Sequence, residues 1–193
     1  MLNNRFQSGF TMIETLVTTV IFSVGLIGVA GMQTVSKRAN YEALQRTTAS
    51  QIAYGLFEDM RANPDSLAIY LARAEIGGGQ ITAEPVPSCD SVASVCDSDQ
   101  LATHSLWDWE QALDGAAETN ANGSGGGINF PTLCVTGPAG GIAGVYTITI
   151  AWRGTVELTD PGINNCGAGS GNYGTNDEYR RMLQISTFID PDI

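Results

Sequence analysis

Apolar residues run almost unbroken from Phe10 to Met32 and then thin to one face of a longer periodic stretch. Residues 10–32, "FTMIETLVTTVIFSVGLIGVAGM", would reach about 34 Å as a helix, enough to span a hydrocarbon core of roughly 30 Å. Residues 33–63 hold no proline and only Gly55. Their apolar positions Leu44, Ile52, Leu56 and Met60, with Ala49, Ala53 and Phe57 alongside, make one face of an amphipathic helix. Pro64 biases Asn63 out of the helical region and ends the run. The pattern predicts one helix over 10–62, roughly 80 Å long. Its first half is apolar on every side and its second half is one-sided.

Beyond Pro64 the periods shorten. Residues 65–75, "DSLAIYLARAE", predict a short helix capped by Asp65. Residues 77–96, "GGGQITAEPVPSCDSVASVC", have the composition of a loop. A further helix is predicted from Asp99, "DQLATHSLWDWEQALDGAA", with Ala102, Leu106, Trp109 and Leu113 as its buried stripe and His104 and Trp107 in the core or at its rim. After the glycine-rich 121–127 come three strand patterns, "INFPTLCVTG", "GVYTITIAWRG" and "RRMLQISTFID". The second alternates, with Tyr146, Ile148, Ile150 and Trp152 on one face and Thr147, Thr149 and Ala151 on the other. The third puts Leu183, Ile185 and Ile189 on one side. Three such strands predict an antiparallel sheet packed on the one-sided half of the long helix, which is an α+β domain.

Charge narrows the partners. The chain has 193 residues and a formal net charge of -11, with no basic cluster larger than Lys37-Arg38 or Arg180-Arg181. So acidic a surface repels phosphates, and nucleic acid is not an expected partner. No nucleophile–base set is evident, and "GSGGG" lacks the lysine of a phosphate loop, so neither catalytic residues nor a cofactor is expected. Cys89, Cys96, Cys134 and Cys166 all follow the apolar run, and with His104 the single histidine they make no zinc pattern. An even cysteine count behind a membrane segment predicts disulfides and an oxidising compartment. Of the three possible pairings, closing the nearest pair first gives Cys89–Cys96 and leaves Cys134–Cys166. The cysteines also orient the chain, because Arg5 on one side and Lys37 and Arg38 on the other leave the flanking charge undecided. In the loop 154–179, Asp160, Asn164, Asp177 and Glu178 are calcium-type oxygens without the EF-hand spacing. A plain stapled loop is expected there, with no metal.

Glu14 is the anomaly, a carboxylate inside the apolar segment. One reading is a first-turn acid facing the helix dipole. The other is an acid that needs a cation, since a charge at mid-membrane costs ~2.5–3.5 kcal/mol on the insertion scale. The small residues Ser8 and Gly9 lie before the apolar run, whereas a secretory signal has its cleavage site after it. A cut between Gly9 and Phe10 would release the leader "MLNNRFQSG", keep the helix and create an amine within about one turn of Glu14. Gly25, Gly28 and Gly31 read as close-packing positions, with a helix weakened for rearrangement as the alternative.

"GFTMIE" followed by an unbroken apolar helix resembles the type IV prepilin signature shared by pilins and pseudopilins. The resemblance implies a type IV pilin-like fold: leader 1–9, fibre-core helix 10–32, amphipathic half 33–63 and disulfide-stapled head 64–193. It also implies cleavage between Gly9 and Phe10 by a prepilin peptidase, N-methylation of Phe10 and assembly through Glu14. The chain is then a substrate and not an enzyme, held in the inner membrane with its head in the periplasm before joining a fibre at the cell surface. "GLIGVAGMQ" at 25–33 with "AYGLFEDMRANPD" at 53–65 resembles the PilV family of minor pilins, and "LWDWEQAL" and "YTITIAWRG" fit the same pattern. This second resemblance implies a low-abundance tip subunit acting with other minor pilins, the major pilin and a tip adhesin, in adhesion and twitching motility. A type II secretion pseudopilin is the alternative, and a DNA-uptake pilin is a further one that the acidity opposes.

Overall fold

The computed structural model describes residues 9–73, 75–91, 94–116, 119–120, 123–124, 126–160 and 162–192. Contacts divide the chain into two compact units, Met1–Tyr41 and Glu42–Ile193. Helix α1, Met12–Ala62, contributes to both.

In the first unit α1 exposes apolar side chains on all sides. In the second it buries Gln45, Ala49, Ile52, Ala53, Leu56, Phe57 and Met60, a stripe at helical spacing. Leu44, expected on this stripe, is instead exposed. One residue is a rotation of about 100°, and it is Gln45 that faces inward. Its amide is paired at both ends: Nε2 donates to the Gly127 carbonyl (3.3 Å) and Oε1 accepts from the Asn129 N–H (2.8 Å). A buried amide with both ends paired carries little desolvation penalty.

α1 stops where Pro64 requires it. Asn63 leaves the helical region (φ -133°), and its Nδ2 donates to the Ser98 carbonyl at 2.7 Å. A 3-10 turn, Pro64–Ser66, then leads into α2, Leu67–Ala72. The N-cap of α2 is Ser66 and not Asp65, which lies inside the 3-10 turn. Ser66 Oγ donates to Asp99 Oδ1 (2.6 Å) and makes no capping bond. Helix α3, Ser98–Asp114, starts just ahead of the expected Asp99 because Asp97 and Gln100 form a capping box. Gln100 N donates to Asp97 Oδ1 (2.8 Å), and Asp97 N donates to Gln100 Oε1 (3.1 Å). Gly115, left-handed at φ 70°, ends α3.

A short pair, β1 (Thr119–Asn120) and β2 (Gly123–Ser124), is antiparallel. The main sheet has the antiparallel order β3 (Thr132–Thr136), β4 (Gly144–Arg153), β5 (Arg180–Ile189). Cys134 lies opposite Thr149, and Val145 opposite Phe188. Tyr146, Ile148, Ile150 and Trp152 of β4 join the buried stripe of α1 in one core. Thr149 and Ala151 on the other face are buried as well. The loop after β4 covers them: Asn164 Nδ2 donates to Thr149 Oγ1 (2.8 Å), and Cys166 is disulfide-bonded to Cys134. Tyr173 Oη adds a 2.8 Å contact with Thr132 Oγ1 and donates to the Phe130 carbonyl. The second disulfide is Cys89–Cys96.

α3 is seated on α1 through Trp109. Its indole lies across Gly55, so close that a Cβ there would sit 2.3 Å from Cη2. Its Nε1 donates to Asp59 Oδ2 at 2.7 Å, one turn further along α1, and Ser105 Oγ donates to the same oxygen at 2.8 Å. At its other end α3 holds the loop 77–80. The fully buried Glu110 accepts from Gly77 N (2.5 Å) and Gln80 N (2.6 Å), and Asp114 accepts from Gly78 N and Gly79 N. Gly77, Gly78 and Gly79 all have positive φ, which brings four consecutive N–H groups onto two carboxylates.

Two outcomes follow for unfolding of the full chain in detergent. Gly55→Ala raises the stability of an open helix by roughly 0.5–1 kcal/mol, but here it is expected to destabilise by about 1–3 kcal/mol because Trp109 is displaced. Near-ultraviolet circular dichroism through a thermal melt reads this, and a raised Tm would contradict the seating. Glu110→Gln keeps the shape but loses the charge-assisted bonds, and is expected to cost about 1.5–3 kcal/mol in a denaturant titration. An unchanged midpoint would show that the carboxylate does not organise the loop.

Candidate functional site

The N-terminal motif is built on Thr11. Its carbonyl accepts from Glu14 N (3.1 Å) and Thr15 N (3.3 Å), and its hydroxyl is 3.4 Å from Glu14 N. These bonds start α1 at Met12 and set Glu14 in the first turn, where the helix dipole favours an acid. Gly9 and Phe10 precede the helix and are exposed, as is Glu14. The leader residues 1–8, with Arg5 and Ser8, lie outside the described residues.

The surface that follows has few free polar groups. Thr15, Thr18, Thr19, Ser23 and Thr34 each turn the hydroxyl back to a carbonyl three or four residues earlier, at 2.7–3.1 Å. Such back-bonding removes the donors that lipid cannot satisfy. Between Phe10 and Val35 only Glu14 is ionisable. Gly25, Gly28 and Gly31 lie on the open helix surface, where an added Cβ would meet nothing within 4 Å. By length and composition α1 is long and apolar enough to cross a membrane.

The oxygens of the 154–179 loop do not gather. Asp160 forms a two-pronged pair with the buried Arg180, Nε to Oδ1 and Nη2 to Oδ2 both at 2.8 Å. Arg180 Nη1 also donates to the Cys166 carbonyl at 3.0 Å. Asn164 Oδ1 accepts from Cys166 N, Asp177 Oδ2 from Gly169 N, and Glu178 Oε2 from Asn176 N. Backbone N–H groups, its own and that of Asn176 foremost, hold the Glu178 carboxyl below the usual range. Among the described residues no three His, Cys, Asp or Glu side chains come together as a metal would require. The loop is held by an ion pair and a disulfide.

A cleft of about 240 Å³ lies among the end of α1, α3 and the Cys89 loop, lined in part by Asp59, Asn63, Tyr70, Asp90, His104 and Asp108. Burial pushes the Tyr70 phenol above its ordinary range. His104 is buried, with Nδ1 3.1 Å from Asp108 Oδ2 and Nε2 3.7 Å from Glu84 Oε1. Ser105 is next to His104 in sequence but donates to Asp59. Hydroxyl and imidazole therefore serve different carboxylates and are not paired as nucleophile and base.

Sequence reasoning missed Gly55, Asp59 and Glu110. A lone glycine in an otherwise unbroken helix was the available signal for the first. Two carboxylates four residues apart on α3, facing "GGGQ", were the signal for Glu110 and Asp114, but nothing in the chain order places those segments side by side.

Residues 4–30 match the family model for the prokaryotic N-terminal methylation motif, and residues 31–107 match the model described as type IV pilin Tt1218. Neither the curated proteins nor the solved structures give a match. The two matched segments abut, joining the Glu14 helix start to the stretch that holds Gly55, Asp59 and Ser105 and ends two residues before Trp109. With the methylation motif, the long apolar helix and the three-stranded antiparallel head, the chain is a member of the type IV pilin superfamily.

Proposed function

We propose that this pilin is a PilV-like minor subunit of the type IV pilus, processed between Gly9 and Phe10 and N-methylated on Phe10. In this reading it stands in a tip complex with other minor pilins, the major pilin and an adhesin, and helps to prime assembly. It waits in the inner membrane with its head, residues 64–193, in the periplasm. The observation that carries the reading is the packing of "AYGLFEDMRANPD", one of the two segments on which the PilV resemblance rests, against "LWDWEQAL", which fits the same pattern. Trp109 of "LWDWEQAL" is seated on Gly55 of "AYGLFEDMRANPD" and bonds Asp59 of the same segment. That interlock gives a physical reason for both motifs to occur in one chain. A pseudopilin of a secretion system is the second reading, since the N-terminal motif is common to both.

Glu14 has a defined part in this proposal. Processing leaves an amine at Phe10, and in a low-dielectric fibre core that amine and the carboxylate of a neighbouring subunit attract strongly. Removing one partner strands the other, which costs about 3–5 kcal/mol for a buried pair.

Glu14→Gln is therefore expected to be cut after Gly9, to form both disulfides and to stay in the membrane fraction, with at least a tenfold loss from sheared fibres and fewer fibres per cell. Immunoblots of sheared and membrane fractions, with fibre counts by electron microscopy, read the outcome. Wild-type amounts of Glu14→Gln in the fibres would leave Glu14 as a first-turn acid and remove the charge pair from the account.

A further inference from the structure

The two edges of the main sheet differ. Along β3, Leu133 exchanges main-chain bonds with Ile76, at 2.9 and 2.7 Å. Ala68, Leu71 and Ala72 of α2 lie beside Val135 and Thr136. That edge is bridged at Leu133 and flanked by α2.

β5 is different. Gly154 N donates to the Tyr179 carbonyl (2.8 Å) and Arg153 N to the Asn129 carbonyl on the β3 side (2.9 Å). With Trp152 paired to Arg181, the alternation of the ladder turns the amides of odd-numbered β5 residues toward β4. Those of Met182, Gln184, Ser186 and Phe188 point outward. Among the described residues no main-chain group bonds them from that side. The stretch "MLQISTFI", 182–189, has no charge, proline or glycine, the devices that ordinarily guard an exposed edge. Beside it Phe188 and Val145, directly opposite each other, are 62% and 59% exposed.

We propose that β5 is a docking edge that receives an extended strand from a different pilin-type subunit, which adds to the sheet beside Met182–Phe188. The inference rests on the pilin reading above. The incoming strand supplies N–H and C=O groups to the four outward residues and an apolar side chain to cover Phe188 and Val145. Just past the edge stand Asp190 and Asp192, so the strand is flanked by a lysine or arginine. A second copy of this chain is a poor source. From Glu42 onward the chain has 19 acids, six arginines and no lysine, and two such heads repel.

The test places a photo-crosslinking benzoylphenylalanine at Ser186 of the full-length chain in fibre-producing cells, with Val86, 95% exposed on the loop between α2 and α3, as the control position. After irradiation the joined peptides are sequenced by mass spectrometry. The expected product joins Ser186 to a strand segment of another protein that carries the N-terminal methylation motif, in at least tenfold excess over the Val86 site. Adding Gln184→Pro, which removes one outward N–H and no bond to β4, should lower that yield at least tenfold while both disulfides still form. Phe188→Lys, which leaves the ladder intact, should lower it as well and guards against misfolding of the proline variant. A product joining Ser186 to β5 of a second copy would overturn the proposal. So would equal yields at Ser186 and Val86, or a yield indifferent to both edge variants, in a chain that is processed and present in fibres. A chain that is never processed and never reaches a fibre would overturn the pilin reading and this proposal with it.

Discussion

Thirteen large apolar side chains between Met12 and Val35 stand uncovered on α1, and among the described residues nothing covers them. Fully burying one such side chain is worth about 1.5–3 kcal/mol, so leaving the whole set in water costs on the order of tens of kcal/mol. A domain of this size is stable by only about 5–15 kcal/mol. The helix surface therefore has to be solvated by lipid or by other helices, and its back-bonded hydroxyls suit either. A single carboxylate at the start of such a surface is tolerable near an interface and costly deeper. That is why the partner proposed for it, an amine made by removing the leader, is central to the functional reading.

The second unit is different, because it buries a core of its own. Its core is the stripe of α1 against the inner face of β4, and Trp109 on Gly55 sets how α3 lies on it. Charge inside the unit is handled pair by pair. Asp59 takes two neutral donors, Glu110 takes backbone amides, and Arg180 takes Asp160 and a carbonyl. Each of these charges is thereby satisfied locally. The Cys134–Cys166 bond fixes the glycine-rich loop over the outer face of β4, so that face of the central strand is covered by a chain segment with little apolar content of its own.

Much of this was legible in the sequence, for reasons that differ by element. The long helix and its stop were readable because Pro64 is a steric constraint that tertiary structure does not override. The strands were readable because β4 and β5 alternate. The cap of α2 was misread because a 3-10 turn intervenes and Ser66 is drawn to Asp99, 33 residues away. Leu44 was misplaced because composition favours leucine over glutamine for a buried face. The bonds that bury Gln45 come from Gly127 and Asn129, more than 80 positions along the chain. The calcium-type oxygens had the right chemistry, but Arg180 takes Asp160 and backbone amides occupy the others. At the N-terminus Gly9, Phe10 and Glu14 were legible as a motif, and the methylation-motif match covers the same stretch. What the residues do there depends on an enzyme and on neighbouring subunits, neither of which a single chain contains.

The account stands on the apolar helix being retained at the mature N-terminus, with the leader cut away in front of it. Intact-mass and N-terminal peptide analysis of the chain from membrane and fibre fractions tests this directly. The expected product lacks residues 1–9 and carries one added methyl group on the Phe10 amine. A mature chain beginning beyond residue 32, with the apolar segment removed, would contradict it.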